Sequence, residues 1–265
     1  MGRLEGLAAL VTGGGRGIGR AIALAYAREG ASVAVADIDQ AGAQSAAAEA
    51  RSLGGVAESF HADIGDPAMS AALLERVVAR FGRLDVLVNN AGVIRVRPLL
   101  EVTPADWDYV NNVNARGLFF ALQAGARQMV RQTALAEGRP RGKIINIASI
   151  AARSGRPMLA AYAASKSAAI SITQSAAMGL APGITVNAIC PGVVDTEMWK
   201  LIDREWTASE GSAPGSVWQQ RVRGIPMGRP ETPADLTGMA VFLASADSDY
   251  VTGQAYHVDG GMVMN

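Results

Sequence analysis

Cysteine is almost missing from this chain. Cys190 stands alone among 265 residues, so no internal disulfide can form and a reducing compartment fits. Histidine is scarce too: His61 and His257 are the only two and lie far apart in sequence. A His-rich metal site is therefore not expected, and only carboxylates are left to hold a hard cation. Net charge is also absent. Twenty-four basic residues balance twenty-four acidic ones, so nothing draws the chain to nucleic acid or to an anionic membrane. No apolar run approaches the length of a membrane span. The early run Leu7–Val11 is too short for a signal-peptide core and leads into glycine-rich sequence. These absences point to a cytoplasmic chain with neither nucleic-acid nor membrane partners and no metal.

What is present is apolar. Hydrophobic residues make up 49% and charged residues 18%, enough for a large core. The length suits one α/β domain over residues 1–265. Buried strands are expected at Leu7–Thr12, Ser32–Asp37, Val56–Ala62, Leu84–Asn89, Lys143–Ile147 and Ile184–Ile189, with a last one at Gln254–Val258. Helical patterns fall between them, near Gly17–Glu29, Gln40–Leu53, Pro67–Phe81, Pro104–Arg131, Ala160–Leu180 and Pro233–Ala244. Such alternation predicts right-handed βαβ units and a doubly wound parallel sheet of about seven strands. Two helix starts are marked by the same tetrapeptide, Thr103–Asp106 and Thr232–Asp235: a Thr cap, Pro at the first helical position, Asp at the third.

Two stretches break the alternation. Gln132–Gly142 is polar and turn-forming and predicts a surface loop. Glu197–Arg229 is longer and carries Trp199, Trp206 and Trp218. A long excursion in a compact domain is commonly functional, and tryptophans at this density argue against disorder. A lid over residues 197–229 is expected.

The first strand runs into TGGGRGIG, with Gly13, Gly17 and Gly19 in G-x-x-x-G-x-G spacing ahead of a helix. Glycine lets a pyrophosphate approach the main chain, and the helix N-terminus supplies N–H donors and a favourable dipole. In a strand–turn–helix setting this predicts a dinucleotide site. Asp37 ends the second strand eighteen residues after Gly19, where a carboxylate can accept from the adenosine ribose hydroxyls. It would repel the extra phosphate of NADP. Ile38 offers no compensating charge and Arg16 only a weak one, so NAD is the expected cofactor, with some NADP use left open.

From about Leu4 to Gly261 the chain resembles the short-chain dehydrogenases/reductases. The matching motifs are TGGGRGIG, NNAG at Asn89–Gly92, VNARG around Asn114, INIAS ending at Ser149, YAASK at Tyr162–Lys166 and PGVVDT at Pro191–Thr196. YxxxK alone is weak; in this order, with Ser149 thirteen residues before Tyr162, the set is highly specific. The resemblance implies a Rossmann fold and an oxidoreductase acting on CH–OH groups. It implies Tyr162 as general acid/base and Ser149 as hydrogen-bond partner of the reacting oxygen. Lys166 would bind the nicotinamide ribose, and Asn114 would hold a water in the proton path. The implied cofactor contacts are Gly13, Arg16, Gly17, Ile18 and Gly19, then Asp63 and Ile64, Asn90, Ala91 and Gly92, Tyr162 and Lys166, and Pro191, Gly192, Val194 and Thr196. Cys190 adjoins the last group and reads as a packed thiol. The resemblance further implies a homotetramer or homodimer, paired through the Pro104–Arg131 and Ala160–Leu180 helices.

Elementary electrostatics gives the Tyr–Lys pair its sense. Four residues apart, the two side chains share a helix face. A cation about 4 Å from the phenol, at an effective dielectric near 20, is worth roughly 4 kcal/mol, enough to bring a pKa of about 10 toward neutrality. The positive nicotinamide ring would act in the same direction, and the expectation is that Tyr162 then works as a base near pH 7.

The start of the excursion, PGVVDTEMW, and the later DLTGMAVFLAS resemble the bacterial sorbitol and galactitol dehydrogenases of the family. Glu197 is then expected to accept from substrate hydroxyls and Trp199 to lie against a polyol's C–H face. Arg97, Arg153 and Arg156 are further candidates for the pocket rim. The expected reaction is NAD-dependent interconversion of a polyol and a ketose. The alternatives are a 3-oxoacyl-[acyl-carrier-protein] or other ketone reductase, and a dinucleotide-sensing protein without catalysis.

Overall fold

The computed structural model describes residues 2–264; the two terminal residues of the expected 1–265 span lie outside them. Seven parallel strands form one sheet: β1 (Ala8–Thr12), β2 (Ser32–Asp37), β3 (Val56–His61), β4 (Val86–Asn89), β5 (Gly142–Ile147), β6 (Ile184–Pro191) and β7 (Ala255–Val258). Their order across the sheet is β3-β2-β1-β4-β5-β6-β7. The order reverses between β1 and β4. In such sheets a crevice opens at the strands' C-terminal ends at that point, and ligands bind there.

Strands β1, β2, β4, β5 and β6 are buried almost throughout because both faces of the sheet are covered, while the edge strands β3 and β7 are partly exposed. Successive residues of β1 point to opposite layers. Val11 packs with Val33, Val35, Ile22, Tyr26 and Leu243; Leu10 packs with Ala34, Leu87, Ile144, Leu73 and Leu122. The first layer is covered by α1 (Gly17–Arg28), α2 (Gln40–Ser52) and α9 (Thr237–Ala244). The second is covered by α3 (Pro67–Phe81), α5 (Leu118–Arg131) and α6 (Ala160–Leu180). Tyr26 is fully buried, and its hydroxyl donates to Ala240 O at 2.9 Å, which removes the cost of an orphaned polar group. Among the described residues no helix is long and apolar enough to cross a membrane.

The structure corrects two expectations and gives a third its form. The helix expected over Pro104–Arg131 is α4 (Pro104–Asn111), a π-helical turn at Asn112–Gly117, and then α5. At this turn Asn114 is bonded to the main chain of Val93, and Gly117 lets Ile64 O approach where a Cβ would collide. The helix expected over Pro233–Ala244 opens as a 3-10 turn, Pro233–Leu236, before α9. The long excursion is a helical hairpin, α7 (Glu197–Glu210) and α8 (Ser216–Arg223). Asp203 of α7 fixes the hairpin: its carboxylate accepts from Gly215 N–H at 2.7 Å and Trp218 N–H at 2.8 Å. The Trp199 and Trp218 rings meet edge-on at 5.7 Å.

Candidate active site

A cavity of about 420 Å³ lies at the β1/β4 reversal and runs along the strand ends. At one end stand Asp37 and Ile38, after β2. The middle is walled by Gly13, Arg16, Gly17 and Ile18 after β1, by Asp63 and Ile64 after β3, and by Asn90, Ala91 and Gly92 after β4. At the other end stand Ser149, Tyr162 and Lys166, with Pro191, Gly192, Val194 and Thr196 after β6 and Glu197 and Trp199 on the hairpin. Residues scattered over the chain thus meet in one place. Gly19 and Asn114 are not on the wall. Neither are Arg97, Arg153 and Arg156; Arg97 instead approaches Glu205 at 3.8 Å.

The glycine loop is shaped by what surrounds it. Gly13 and Gly17 have φ of 61° and 53°, a left-handed conformation that glycine tolerates best. A Cβ on Gly13 would stand 2.8 Å from Ala91 Cα. Asn90 fastens the loop from β4: its Nδ2 donates to Thr12 O and Gly13 O, both at 2.9 Å. Thr12 Oγ1 accepts from the N–H groups of Asn90 and Ala91 at 3.1 and 3.2 Å. The N-terminus of α1 has no side-chain cap and no acidic residue in its first turn. Its N–H groups and positive dipole end are therefore available to an anion such as a pyrophosphate.

Asp37 is bound twice by the main chain. Oδ2 accepts from Gly15 N–H and Oδ1 from Asp39 N–H, both at 2.9 Å, so one carboxylate shapes the glycine loop and ends β2. Asp63 accepts from Gly65 N–H at 2.8 Å and turns the chain after β3. An uncapped helix end, a ring of glycines with no room for side chains and an anchored carboxylate fit a nicotinamide dinucleotide laid along the strand ends.

At the reacting end, Ser149 follows β5 and is buried; its Oγ accepts from Ala151 N–H at 3.1 Å. Tyr162 and Lys166 lie on the first turns of α6. The Lys166 Nζ donates to Ile147 O at 2.7 Å and stands 5.7 Å from the Tyr162 ring centroid. Burial pushes the Tyr162 phenol up to about 12, with the Ser149 hydroxyl pulling the other way. Burial pushes Lys166 down to about 8. Desolvation of the buried phenolate is the largest influence on Tyr162, so the expected lowering needs the positive nicotinamide ring as well as Lys166.

Asn114 is buried behind this group. Its Oδ1 accepts from Val93 N–H at 2.8 Å; its Nδ2 donates to Val93 O at 2.8 Å and to Ser165 Oγ at 3.1 Å. A Cβ on Gly92 would stand 3.3 Å from Asn114 Oδ1 and 3.6 Å from Lys166 Nζ, so both polar groups border the same small space. Cys190 is buried, and burial pushes its thiol up to about 11. It is a packed thiol.

The two expected substrate residues part company. Trp199 packs with Tyr162, Met198 and Leu201 against the buried cluster of Ile94, Met158, Leu159 and Trp206. Glu197 has a side chain 67% exposed and paired with Lys200 at 2.6 Å. That pairing holds its carboxyl below the usual range and does not carry the expectation that it receives substrate hydroxyls. Sequence reasoning also missed wall residues. Ile94 and Arg95 lie just beyond the NNAG motif, which was a usable signal. Tyr109, Met198 and Leu201 had none, since their approach depends on how α4 and α7 dock. The Arg95 guanidinium lies 3.9 Å from the Tyr109 ring centroid.

Similar proteins agree with this geometry. The family model described as enoyl-(acyl carrier protein) reductase matches residues 13–263. Galactitol 2-dehydrogenase of Agrobacterium fabrum is 44% identical over 99% of this chain and 100% of its own length. Sorbitol dehydrogenase of Cereibacter sphaeroides is also 44% identical, with the same coverage. The crystal structure of NAD+-bound xylitol dehydrogenase superposes with a TM-score of 0.91 at 35% identity, covering 97% of this chain and 99% of that one. With a glycine loop, a β2 carboxylate and a Ser–Tyr–Lys set in one crevice, and these relatives across nearly its whole length, the chain belongs to the short-chain dehydrogenases/reductases, NAD(P)-dependent oxidoreductases of CH–OH groups.

Proposed function

We propose that the protein interconverts one secondary hydroxyl of a sugar alcohol or similar polyol with the corresponding ketone, using NAD. The observation that carries this is the single crevice with Asp37 at one end and Ser149, Tyr162 and Lys166 at the other. The polyol substrates named for the relatives support the substrate class. The anchored Asp37 carboxylate supports NAD over NADP, since the phosphate that distinguishes NADP would meet a negative charge.

When bound, the dinucleotide supplies the hydride acceptor and a positive ring. In oxidation Ser149 Oγ holds the reacting hydroxyl against Tyr162, and the phenolate form of Tyr162 takes the hydroxyl proton as the C–H hydride leaves. In reduction the phenol returns the proton. Lys166 carries a positive charge beside the phenol and a donor for the cofactor ribose. Asn114 fixes the Val93 main chain and borders the space through which the proton leaves. Trp199 forms an apolar wall for the carbon skeleton, and the hairpin over residues 197–229 acts as the lid.

The same reading makes the α5–α6 face a subunit contact of a homotetramer or homodimer. An apolar groove there is lined by Phe119, Leu122, Ala126, Val130 and Leu180, with Phe119 41% and Val130 50% exposed. The single thiol, buried, fits the cytoplasm. A panel of polyols and simple secondary alcohols assayed with NAD tests the function. Turnover should be highest among the polyols; no oxidation of any alcohol by the folded protein would end the proposal.

A further inference from the structure

The hairpin returns to the body of the protein at Glu231, outside every motif named above. Three hydrogen bonds join this one residue to the loop after β6. Its N–H donates to Val193 O at 2.8 Å, its carbonyl accepts from Asp195 N–H at 2.8 Å, and its carboxylate Oε2 accepts from Gly192 N–H at 2.9 Å. The side chain is only 8% exposed. Its other oxygen, Oε1, is buried with no hydrogen-bond partner among the described residues. The loop is closed from behind as well: a Cβ on Gly192 would stand 2.9 Å from Asp259 Cα.

Gly192 and Val194 are also cavity wall, at the end that holds Tyr162 and Lys166. The bonds that fix their main chain therefore fix the surface a nicotinamide would meet. A buried carboxyl is a costly means of holding one amide, and its Oε2 is the nearer of the two acceptors that the Gly192 N–H meets, at 2.9 Å against 3.2 Å to Val258 O. We infer that Glu231 is a positioning residue: it holds the Pro191–Thr196 loop in its cofactor-receiving shape, with the side chain as the decisive one of its three bonds. This rests on the dinucleotide reading above.

The test is NAD affinity, measured by calorimetry on the full chain. Glu231→Met keeps the bulk and removes the acceptor; its Kd for NAD should rise roughly tenfold, the worth of one buried hydrogen bond, with substrate KM close to wild type. Glu231→Gln restores an acceptor for Gly192 and should bind NAD nearly as the wild type does. A folded Met variant with wild-type affinity overturns the inference, and so does a Gln variant as weak as the Met one. If the Met variant does not fold, Glu231→Asp serves, since its shorter side chain withdraws the acceptor: the Gly192 amide should exchange faster than in the unmodified protein, and equal rates overturn the clamp. If the unmodified protein binds neither NAD nor NADP, the dinucleotide reading fails instead.

Discussion

The two ends of the crevice are built differently. At the glycine-loop end the wall is main chain held by directional hydrogen bonds: Asn90 to Thr12 and Gly13, Asp37 to Gly15 and Asp39. At the hairpin end the wall is mostly apolar side chain, Ile94, Met198, Trp199 and Leu201, backed by Ile202, Trp206 and Val217 packed with Val96, Met158 and Leu159. Hydrogen bonds fix atoms to within tenths of an ångström and penalise a missing partner. Apolar packing tolerates volume-conserving change. The first kind of wall suits a ligand of constant chemistry; the second suits a substrate selected by shape.

The sharpest way to break this comparison is at the point where both ends meet. Tyr162→Phe keeps the ring that packs with the hairpin cluster and removes the hydroxyl. We expect kcat to fall by roughly 10²–10⁴ with NAD affinity unchanged, and the rise of oxidation rate with pH to vanish. A folded variant with near-normal turnover would remove Tyr162 from the chemistry.

Glu231 tests the seam by pH. Burial pushes its carboxyl from 4.5 up to about 7, with Asp235 and Asp259 acting the same way and Arg229 opposing. The folded chain therefore keeps this proton to higher pH than the unfolded chain does. Stability is lost as pH rises from about 4.5 through about 7. Glu231→Gln removes that loss, so its stability relative to wild type should grow between about pH 5 and pH 8, by up to about 3 kcal/mol. Denaturant melts at both pH values measure this; a constant difference would contradict it.

Asp37→Ser should reduce the preference for NAD over NADP by roughly tenfold, on the order of one charge contact. It also frees the Gly15 amide, so affinity for both cofactors should drop. A drop for NAD with no gain in relative NADP efficiency would leave Asp37 a loop-shaping residue only. The smallest effect belongs to the apolar end. Trp199→Ala should raise substrate KM several-fold, about 1 kcal/mol of lost packing, and leave NAD affinity intact. A loss confined to NAD binding would place Trp199 on the cofactor.

What the sequence made legible follows the same division. The seven strands lie within two residues of their expected starts and ends, because strands buried on both faces are continuous apolar runs. Gly13 and Asp37 were legible because each sits at a strand's end, whereas Ser149 and Tyr162 were legible through the ordered set of motifs shared with the family. The π-helical turn at Asn112–Gly117 was not, since the contact found there joins Asn114 to Val93, twenty-one residues away. The burial around Tyr162, whose desolvation is the largest influence on the phenol, was not legible, because spacing gives the distance between charges and says nothing of what covers them. Glu231 carries no local signal: its partners lie thirty-nine residues back.

The parallel bridge between Val194 and Glu231 sets the two ends of the hairpin side by side. The whole of residues 195–230 therefore leaves and rejoins the body through one narrow neck. A change made in the segment away from its own wall residues can reach the crevice by two routes: through that neck, or through the packing of Ile202, Trp206 and Val217 on Ile94, Met158 and Leu159.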